Sequence, residues 1–312
     1  MSPHSVAPRS LERLPTFDRS AYLAMIPQLE SRGFLRIPVD GALRQATDHV
    51  FALADEFFAR SPAEKRRFAY PAWVEGYREL GPEYSQVPER PDLTESFSIW
   101  HRNRTRPQLD DWAAACPLHP ALRHASAMLG DLVRDLFAAM AEYWGPADAP
   151  ELRFLNGTWT QLNHYEPARH TRDLLQDPHE DGHLITFVLT NAPGLEIEVD
   201  GEFVPAGIGR DELLVMPSSL LSLMTGYRVK PLYHQVRNTY RTDPRSSLLY
   251  FVNPEIDQQL APWIVNESNQ GIDIVERANA GPTQFGLPSL AETMSGEAET
   301  RSSTPAKADA AQ

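Results

Sequence analysis

The stretch His179-Glu180-Asp181-Gly182-His183-Leu184-Ile185-Thr186-Phe187-Val188-Leu189-Thr190 decides the reading of this chain. Leu184 to Thr190 is apolar, β-branched and aromatic, with Asn191 and Pro193-Gly194 beyond it, and predicts a buried strand. Just ahead, His179 and Asp181 stand two residues apart. On extended backbone such a pair projects to one face, so an imidazole and a carboxylate can hold two adjacent corners of an octahedral metal.

Segments of the same kind surround it. Thr158 to Tyr165, Leu195 to Val199, Glu202 to Val204, Glu212 to Met216, Leu220 to Met224, Leu232 to Asn238 and Ser246 to Val252 are all short and strand-like. Gly, Pro, Asn and Asp separate them, and Asp200-Gly201 is a two-residue hairpin signal. About eight short strands with turns at this spacing predict a double-sheet roll or barrel.

Upstream the period changes to a helical one. Asp18 to Arg32 carries Tyr22, Leu23, Ile26 and Leu29 at helical spacing, with Pro27 inside it and Gly33 as its stop. Leu43 to Arg60 is a second amphipathic helix. Ser61-Pro62-Ala63-Glu64 is a capping box with proline at the first helical position. The stripe from Leu122 to Met140, ended by Gly145, is the longest. Helices first and strands second make an α+β plan in which helices buttress a β core. The expected organisation is a disordered tail over 1–12, a helical region over 13–150, a jelly-roll core (double-stranded β-helix) over 151–260, a C-terminal segment over 261–294 and a second disordered tail over 295–312. Within the C-terminal segment, Ile272 to Leu290 carries Ile274, Val275, Phe285 and Leu287 between polar residues and suits a lid.

Composition removes several functions. The 312 residues hold 29 Lys and Arg against 42 Asp and Glu, a net charge of −13. That balance argues against a general nucleic-acid binder and against adhesion to anionic lipid. No apolar run reaches the length of a membrane helix, and the N-terminus has no apolar leader core. Cys116 is the single cysteine, so an intramolecular disulfide and a multi-thiolate zinc site are both excluded. A cytoplasmic protein, monomeric or weakly self-associating, with a small-molecule partner, is the expectation.

A metal needs a second imidazole. His234 lies in the strand-like segment Pro231 to Asn238, and with His179 and Asp181 it makes two histidines and one carboxylate, the facial set of non-haem iron(II) oxygenases. His164-Tyr165-Glu166 is a rival His-x-carboxylate pair, ranked second because Pro167 and the charged residues after it read as a loop. The next strand opens with Arg245-Ser246-Ser247. A guanidinium pointing into a barrel needs an anion, its fork fits a carboxylate, and Ser247 adds a hydroxyl on the same face.

In this order and spacing, His179-x-Asp181, His234 and Arg245-x-Ser247 resemble the iron(II)/2-oxoglutarate-dependent oxygenases of the isopenicillin N synthase-like family. Asn163-His164-Tyr165, Thr186, Gly194-Leu195-Glu196-Ile197, Gly226 and Phe251-Val252-Asn253-Pro254 fall in register with that group. Gly33-Phe34, Phe57-Phe58 and Gly76-Tyr77 are similar to its helical N-terminal region, and the resemblance spans about residues 15 to 260. It departs in three places: an extra residue in Gly209-Arg210-Asp211, Gln235 where a basic residue is usual, and His183 where a small one is.

The resemblance implies Fe(II) on His179, Asp181 and His234, and 2-oxoglutarate with its distal carboxylate on Arg245 and Ser247. It also implies that Asn163 and Tyr165 steady the keto acid end, with O2 as co-reactant. Halogenating relatives lack the carboxylate, so Asp181 points to hydroxylation, desaturation or cyclisation of a specialised metabolite or amino-acid derivative. Two other readings stand beside it. One is an iron oxidase of isopenicillin N synthase type, in which Arg245 holds a substrate carboxylate. The other is a metal-free jelly-roll binding protein. His183, Tyr77, Arg78, Arg169, His170 and Arg172 are the polar candidates for substrate contact.

Overall fold

Local chemistry sets the helices. In this computed structural model, which describes residues 19–295 apart from 71–72, 104–110, 113, 147–150 and 155, the first helical stretch is two helices. They are α1 (Arg19–Met25) and α2 (Pro27–Arg32), broken at Ile26 because Pro27 has no N–H to continue the ladder. Gly33 ends α2 at φ 79°, a left-handed cap that glycine adopts without a Cβ clash. β1 (Leu35–Pro38) follows. α3 (Gly41–Phe58) starts where the Asp40 side chain accepts from Leu43 N at 2.8 Å. α4 (Pro62–Arg66) has the full capping box between Ser61 and Glu64. α5 (Leu118–Trp144) buries Leu122, Leu129, Val133, Leu136 and Met140 and packs on both α1 and α3. No helix among the described residues is long and apolar enough to cross a membrane.

The strands are β2 (Gly76–Arg78), β3 (Glu95–Trp100), β4 (Trp159–Tyr165), β5 (Leu174–His179), β6 (Ile185–Thr190), β7 (Leu195–Val199), β8 (Glu202–Pro205), β9 (Glu212–Pro217), β10 (His234–Arg237) and β11 (Arg245–Val252). They form two antiparallel sheets, a larger one in the order β1-β9-β6-β11-β4-β3-β2 and a smaller one in the order β5-β10-β7-β8. This is an α+β double-stranded β-helix core buttressed by N-terminal helices, as the pattern predicted.

Both faces of the larger sheet are buried, which explains why its strands read as unbroken apolar runs. Phe187, Leu189, Leu248 and Tyr250 face the helices and join Phe57, Leu129 and Leu136 in the main core. Alternate residues Val188, Leu249, Phe251 and Trp159 face the smaller sheet and join Leu195, Ile197 and Met216. At about 25 cal/mol per Å2 this two-sided burial is the main force holding the layers together.

Four further elements differ from expectation. Leu220 to Met224 is the helix α6 (Ser219–Met224), not a strand. Five consecutive buried residues carry no period, and the turn after Pro217 selects the helix. β5 has no counterpart among the expected strands, because Asp177-Pro178 and the charged residues before it hide a strand bordering the cleft. The short strands β2 and β3 extend the large sheet beyond the region the strand pattern marks. Past β11, α7 (Ile274–Ala280) and a 3-10 turn (Gly281–Phe285) lead the chain back over the core.

Candidate active site

Between the two sheets lies a cavity of roughly 720 Å3, part of it open to solvent. His179 closes β5, and β10 begins with His234 directly opposite it in the antiparallel ladder. Their rings are 4.3 Å apart between centroids. Asp181 lies just past the end of β5 rather than within it, in a connection that keeps its carboxylate on the side of the two rings. The intervening Glu180 turns away and accepts from Gly182 N and Ser219 N, each at 2.9 Å, so it ties the connection down. Gly182 at φ 73° completes the turn.

The donor atoms converge. Asp181 Oδ1 is 3.6 Å from His179 Nε2 and 3.5 Å from His234 Nε2, and the three ligand atoms lie within 4.8 Å of one another. Such separations are too long for hydrogen bonds that would satisfy the groups among themselves. Asp181 Oδ2, also buried, has no partner. Each imidazole has its other nitrogen engaged: His179 Nδ1 donates to Asp177 O at 2.8 Å and His234 Nδ1 to Leu232 O at 3.4 Å. Both rings therefore present unprotonated Nε2 atoms, the tautomer a metal requires. Burial, reinforced by neighbouring His234, holds His179 below its ordinary pKa. Burial alone would raise Asp181, but His234, His179 and His183 together bring it below the usual carboxylate range. The set fits one octahedral cation with three open positions.

Arg245, the first residue of β11, lines the same cavity and is 2 % exposed. None of its three guanidinium nitrogens has a hydrogen-bond partner, and no carboxylate is paired with it among the described residues. Its electrostatic neighbour is the Tyr165 ring, 5.0 Å from Cζ. Burial depresses its pKa, with Tyr165 opposing the shift. Gly194, at φ 130°, gives it room: a Cβ there would lie 3.3 Å from Arg245 Cδ and Nε. A buried, unpaired fork beside a hydroxyl, Ser247, has the donor chemistry to take a carboxylate.

Asn163 and Tyr165 stand opposite Ser247 and Arg245 on β4. They belong to a closed ring of hydrogen bonds along the cavity wall. Arg78 Nη2 donates to Gln161 Oε1 at 3.2 Å, Gln161 Nε2 to Asn163 Oδ1 at 2.8 Å, and Asn163 Nδ2 to the Tyr165 hydroxyl at 3.3 Å. Tyr165 donates to Gln176 Oε1 at 3.0 Å, and Gln176 Nε2 to Asp92 Oδ2 at 3.1 Å. Asp92 N donates to Glu83 O, and Glu83 pairs with Arg78, which closes the ring. Burial pushes Asp92 up to about 6 and Tyr165 up to about 12.

Of the residues singled out in the sequence, the cavity gathers His179, Asp181, His234, Arg245, Ser247, Asn163, Tyr165 and His183. It does not gather the other polar candidates. Tyr77 is buried on the helix side, hydrogen-bonded to Glu95 and packed edge-on against Phe57. Arg169 points to solvent and pairs with Glu166, while His170 lies on the partly exposed turn after it and is not in the lining. Arg172 donates to Pro91 O and Asp177, outside the lining. Arg78 acts only through the ring. The rival His164 faces the helices, stacks on Phe58 at 4.4 Å and bonds Ser246. Gln235 meets Glu196 at 2.6 Å, which Arg237 also binds. Sequence reading missed Trp159, Gln161, Leu249 and Phe251. The period of two that aligns Asn163 with Tyr165 and Ser247 with Arg245 also carries these four to the same face. Glu83, Asp92 and Gln176 had no comparable local signal.

The fold and this constellation define a class, the double-stranded β-helix proteins with a two-histidine, one-carboxylate face. Residues 157–254 match the family model described as the 2OG-Fe(II) oxygenase superfamily. The Arabidopsis thaliana protein "Gibberellin 2-beta-dioxygenase 3" is 32% identical over 108 residues, which are 33% of this chain and 32% of that protein. The match thus spans about a third of that relative's length. Among solved structures, a putative 2OG-Fe(II) oxygenase family protein from Caulobacter crescentus superposes with a TM-score of 0.65 at 19% identity, covering 83% of this chain and 92% of that one. The Arabidopsis thaliana dioxygenase for auxin oxidation 1, in its 2-oxoglutarate complex, superposes with a TM-score of 0.63 at 18% identity, covering 80% and 95%.

Proposed function

We propose that this protein is an Fe(II)/2-oxoglutarate-dependent dioxygenase that oxidises a small molecule. The observation that carries the reading is Arg245, a fully buried guanidinium without an anion, facing the same cavity as three converging metal-donor groups. His179, Asp181 and His234 hold the iron. Arg245 and Ser247 take the distal carboxylate of 2-oxoglutarate, and Asn163 and Tyr165, locked by their hydrogen-bonded ring, orient its keto acid end. When bound, iron and cosubstrate supply O2 activation coupled to decarboxylation to succinate, and with it the oxidation of an unactivated C–H bond.

The chain's own part is binding, orientation and the exclusion of water. Pro282, Phe285 and Leu287 reach the cavity from the C-terminal segment, and the Phe285 ring stands edge-on 5.7 Å from that of His179. This segment serves as the lid over the metal side, while Ile274 and Val275 anchor it by their burial. The pairing of a full donor set with a 2-oxoglutarate-type anion site supports hydroxylation, desaturation or cyclisation, in specialised-metabolite or amino-acid-derivative metabolism. A single buried Cys116 suits a reducing cytoplasm.

Aerobic incubation with Fe(II), 2-oxoglutarate and candidate metabolites tests the reading. Succinate release that rises with one metabolite supports it. Iron-dependent turnover that proceeds without 2-oxoglutarate would instead assign Arg245 to a substrate carboxylate. Failure to bind stoichiometric Fe(II) would leave only a jelly-roll binding protein.

A further inference from the structure

Beyond Arg245 and the metal donors, the cavity has a second end with a character of its own. Trp159 and Gln161 on β4 and Leu249 and Phe251 on β11 extend the lining away from Arg245, and His183 and Trp73 close it. Trp159 is 3 % exposed, and its indole N–H has no hydrogen-bond partner. A buried donor left without an acceptor is costly, so this N–H is a second orphan besides the Arg245 guanidinium. His183, also 3 % exposed, lies edge-on to Trp159 with ring centroids 4.9 Å apart. Asn253 Nδ2 donates to its Nδ1 at 3.1 Å. Its proton therefore sits on Nε2, which has no hydrogen-bond partner among the described residues.

Charge narrows what can meet these donors. Arg245 is the only Lys or Arg in the described lining, and 2-oxoglutarate takes it in the proposed function. Glu83 and Asp92 add carboxylates to the wall. A substrate carboxylate or phosphate would find no unengaged Lys or Arg in the described lining of this end, since the nearby Arg78 is already paired with Glu83. A neutral oxygen meets no such penalty. Around the two donors the walls are aromatic or apolar: Trp73, Phe251, Leu249 and Met216.

Resting on the assignment of Arg245 to 2-oxoglutarate, we propose that the substrate is an uncharged, largely apolar molecule. It presents a carbonyl, hydroxyl or ether oxygen to Trp159 Nε1–H and His183 Nε2–H, and molecules carrying a carboxylate at that point are rejected. Trp159 and His183 are specificity-determining contacts, and the aromatic walls take the rest of the substrate.

Three probes of one ring system test this on wild-type protein loaded anaerobically with Fe(II) and 2-oxoglutarate: naphthalene, 2-acetylnaphthalene and 2-naphthoate, titrated by calorimetry or equilibrium dialysis. The ketone is expected to bind at least about ten-fold more tightly than the carboxylate, the scale of one hydrogen bond gained and one repulsion avoided. Trp159→Phe keeps the ring but removes the N–H. It is expected to weaken the ketone about ten-fold and leave naphthalene unchanged. Equal or tighter binding of the carboxylate, an equal loss for ketone and hydrocarbon in Trp159→Phe, or no ketone binding at millimolar concentration would each overturn the proposal. The metal–cosubstrate absorbance of the same samples reports the Arg245 site separately, so its failure and the failure of the substrate proposal are told apart.

Discussion

His179 and His234 occupy directly opposed positions on β5 and β10, with their rings 4.3 Å apart and their Nε2 atoms 3.6 and 3.5 Å from Asp181 Oδ1. Sheet register thus brings together two residues about 55 positions apart, and a slip by one residue would turn one ring out of the site. His179→Ala, Asp181→Ala and His234→Ala are each expected to abolish stoichiometric Fe(II) binding, measured anaerobically by metal analysis after gel filtration. Far-UV circular dichroism should stay unchanged. Retained iron at wild-type stoichiometry in any one of them would remove that residue from the metal site.

Arg245 should show opposite effects on stability and binding. The described residues give its buried guanidinium no hydrogen-bond partner, and replacing a buried charge with a well-packed apolar side chain is often stabilising by about 1–4 kcal/mol. Arg245→Met is therefore expected to raise the thermal midpoint of the free protein while weakening 2-oxoglutarate about 100-fold or more. Thermal unfolding with and without 2-oxoglutarate reads both. A variant that lost stability yet kept its affinity would contradict the assignment.

Gly194 makes the room in which Arg245 lies. Gly194→Ala places a side chain at φ 130° and a methyl 3.3 Å from Arg245 Cδ, at a cost of about 1–3 kcal/mol in backbone strain. Chemical denaturation should show that loss, and calorimetry a weaker 2-oxoglutarate affinity, because the guanidinium must shift. Unchanged affinity would show that Arg245 does not depend on this contact.

His164 supplies a pH dependence away from the metal. Burial drives its pKa to about 4, from 6.5, with Glu95 opposing the shift. Between those values the unfolded chain binds the proton and the folded chain does not. Its contribution to stability is thus full above about pH 6.5 and falls as pH drops toward 4. Replacing it by Phe, which keeps the stack on Phe58, should flatten the decline of unfolding free energy from pH 7 to 4.5 by up to about 2 kcal/mol. A slope identical to wild type would mean that His164 is already protonated in the fold.

Much of this was legible because β periodicity acts locally. The apolar runs of β6 and β11 mark a sheet buried on both faces, and the His179-x-Asp181 and Arg245-x-Ser247 spacings place pairs on one side. The N-terminal helices announce themselves by their apolar spacing and by the capping box at Ser61. What was not legible came from longer-range packing. Leu220 to Met224 has no period to separate a strand from the helix it forms. Asp177-Pro178 disguises β5, whose strand character comes from pairing with β10. Tyr77 and Arg169 had suitable chemistry, but the fold gives one to the helical core and the other to solvent. Glu83, Asp92 and Gln176 reach the cavity from separate segments, joined only by the hydrogen-bonded ring that closes through Tyr165 and Arg78.

That ring makes its own prediction. Gln176 bridges the two sheets, accepting from Tyr165 and donating to Asp92. Gln176→Leu leaves the Tyr165 hydroxyl and a buried Asp92 oxygen each short of a partner, at a cost of about 1–3 kcal/mol. The expected result is a lower unfolding free energy with a modestly higher KM for 2-oxoglutarate, whereas Gln176→Glu should restore at least the Tyr165 bond. Equal behaviour of the two variants would show that Gln176 only fills space.

The most direct measurement is an anaerobic absorbance titration of the protein with Fe(II) and then 2-oxoglutarate. Wild type should develop a weak visible charge-transfer band at one equivalent of each, and Asp181→Ala and Arg245→Met should not at the same concentrations. A wild-type protein that binds neither component, or a band that persists at full strength in both variants, would contradict the account.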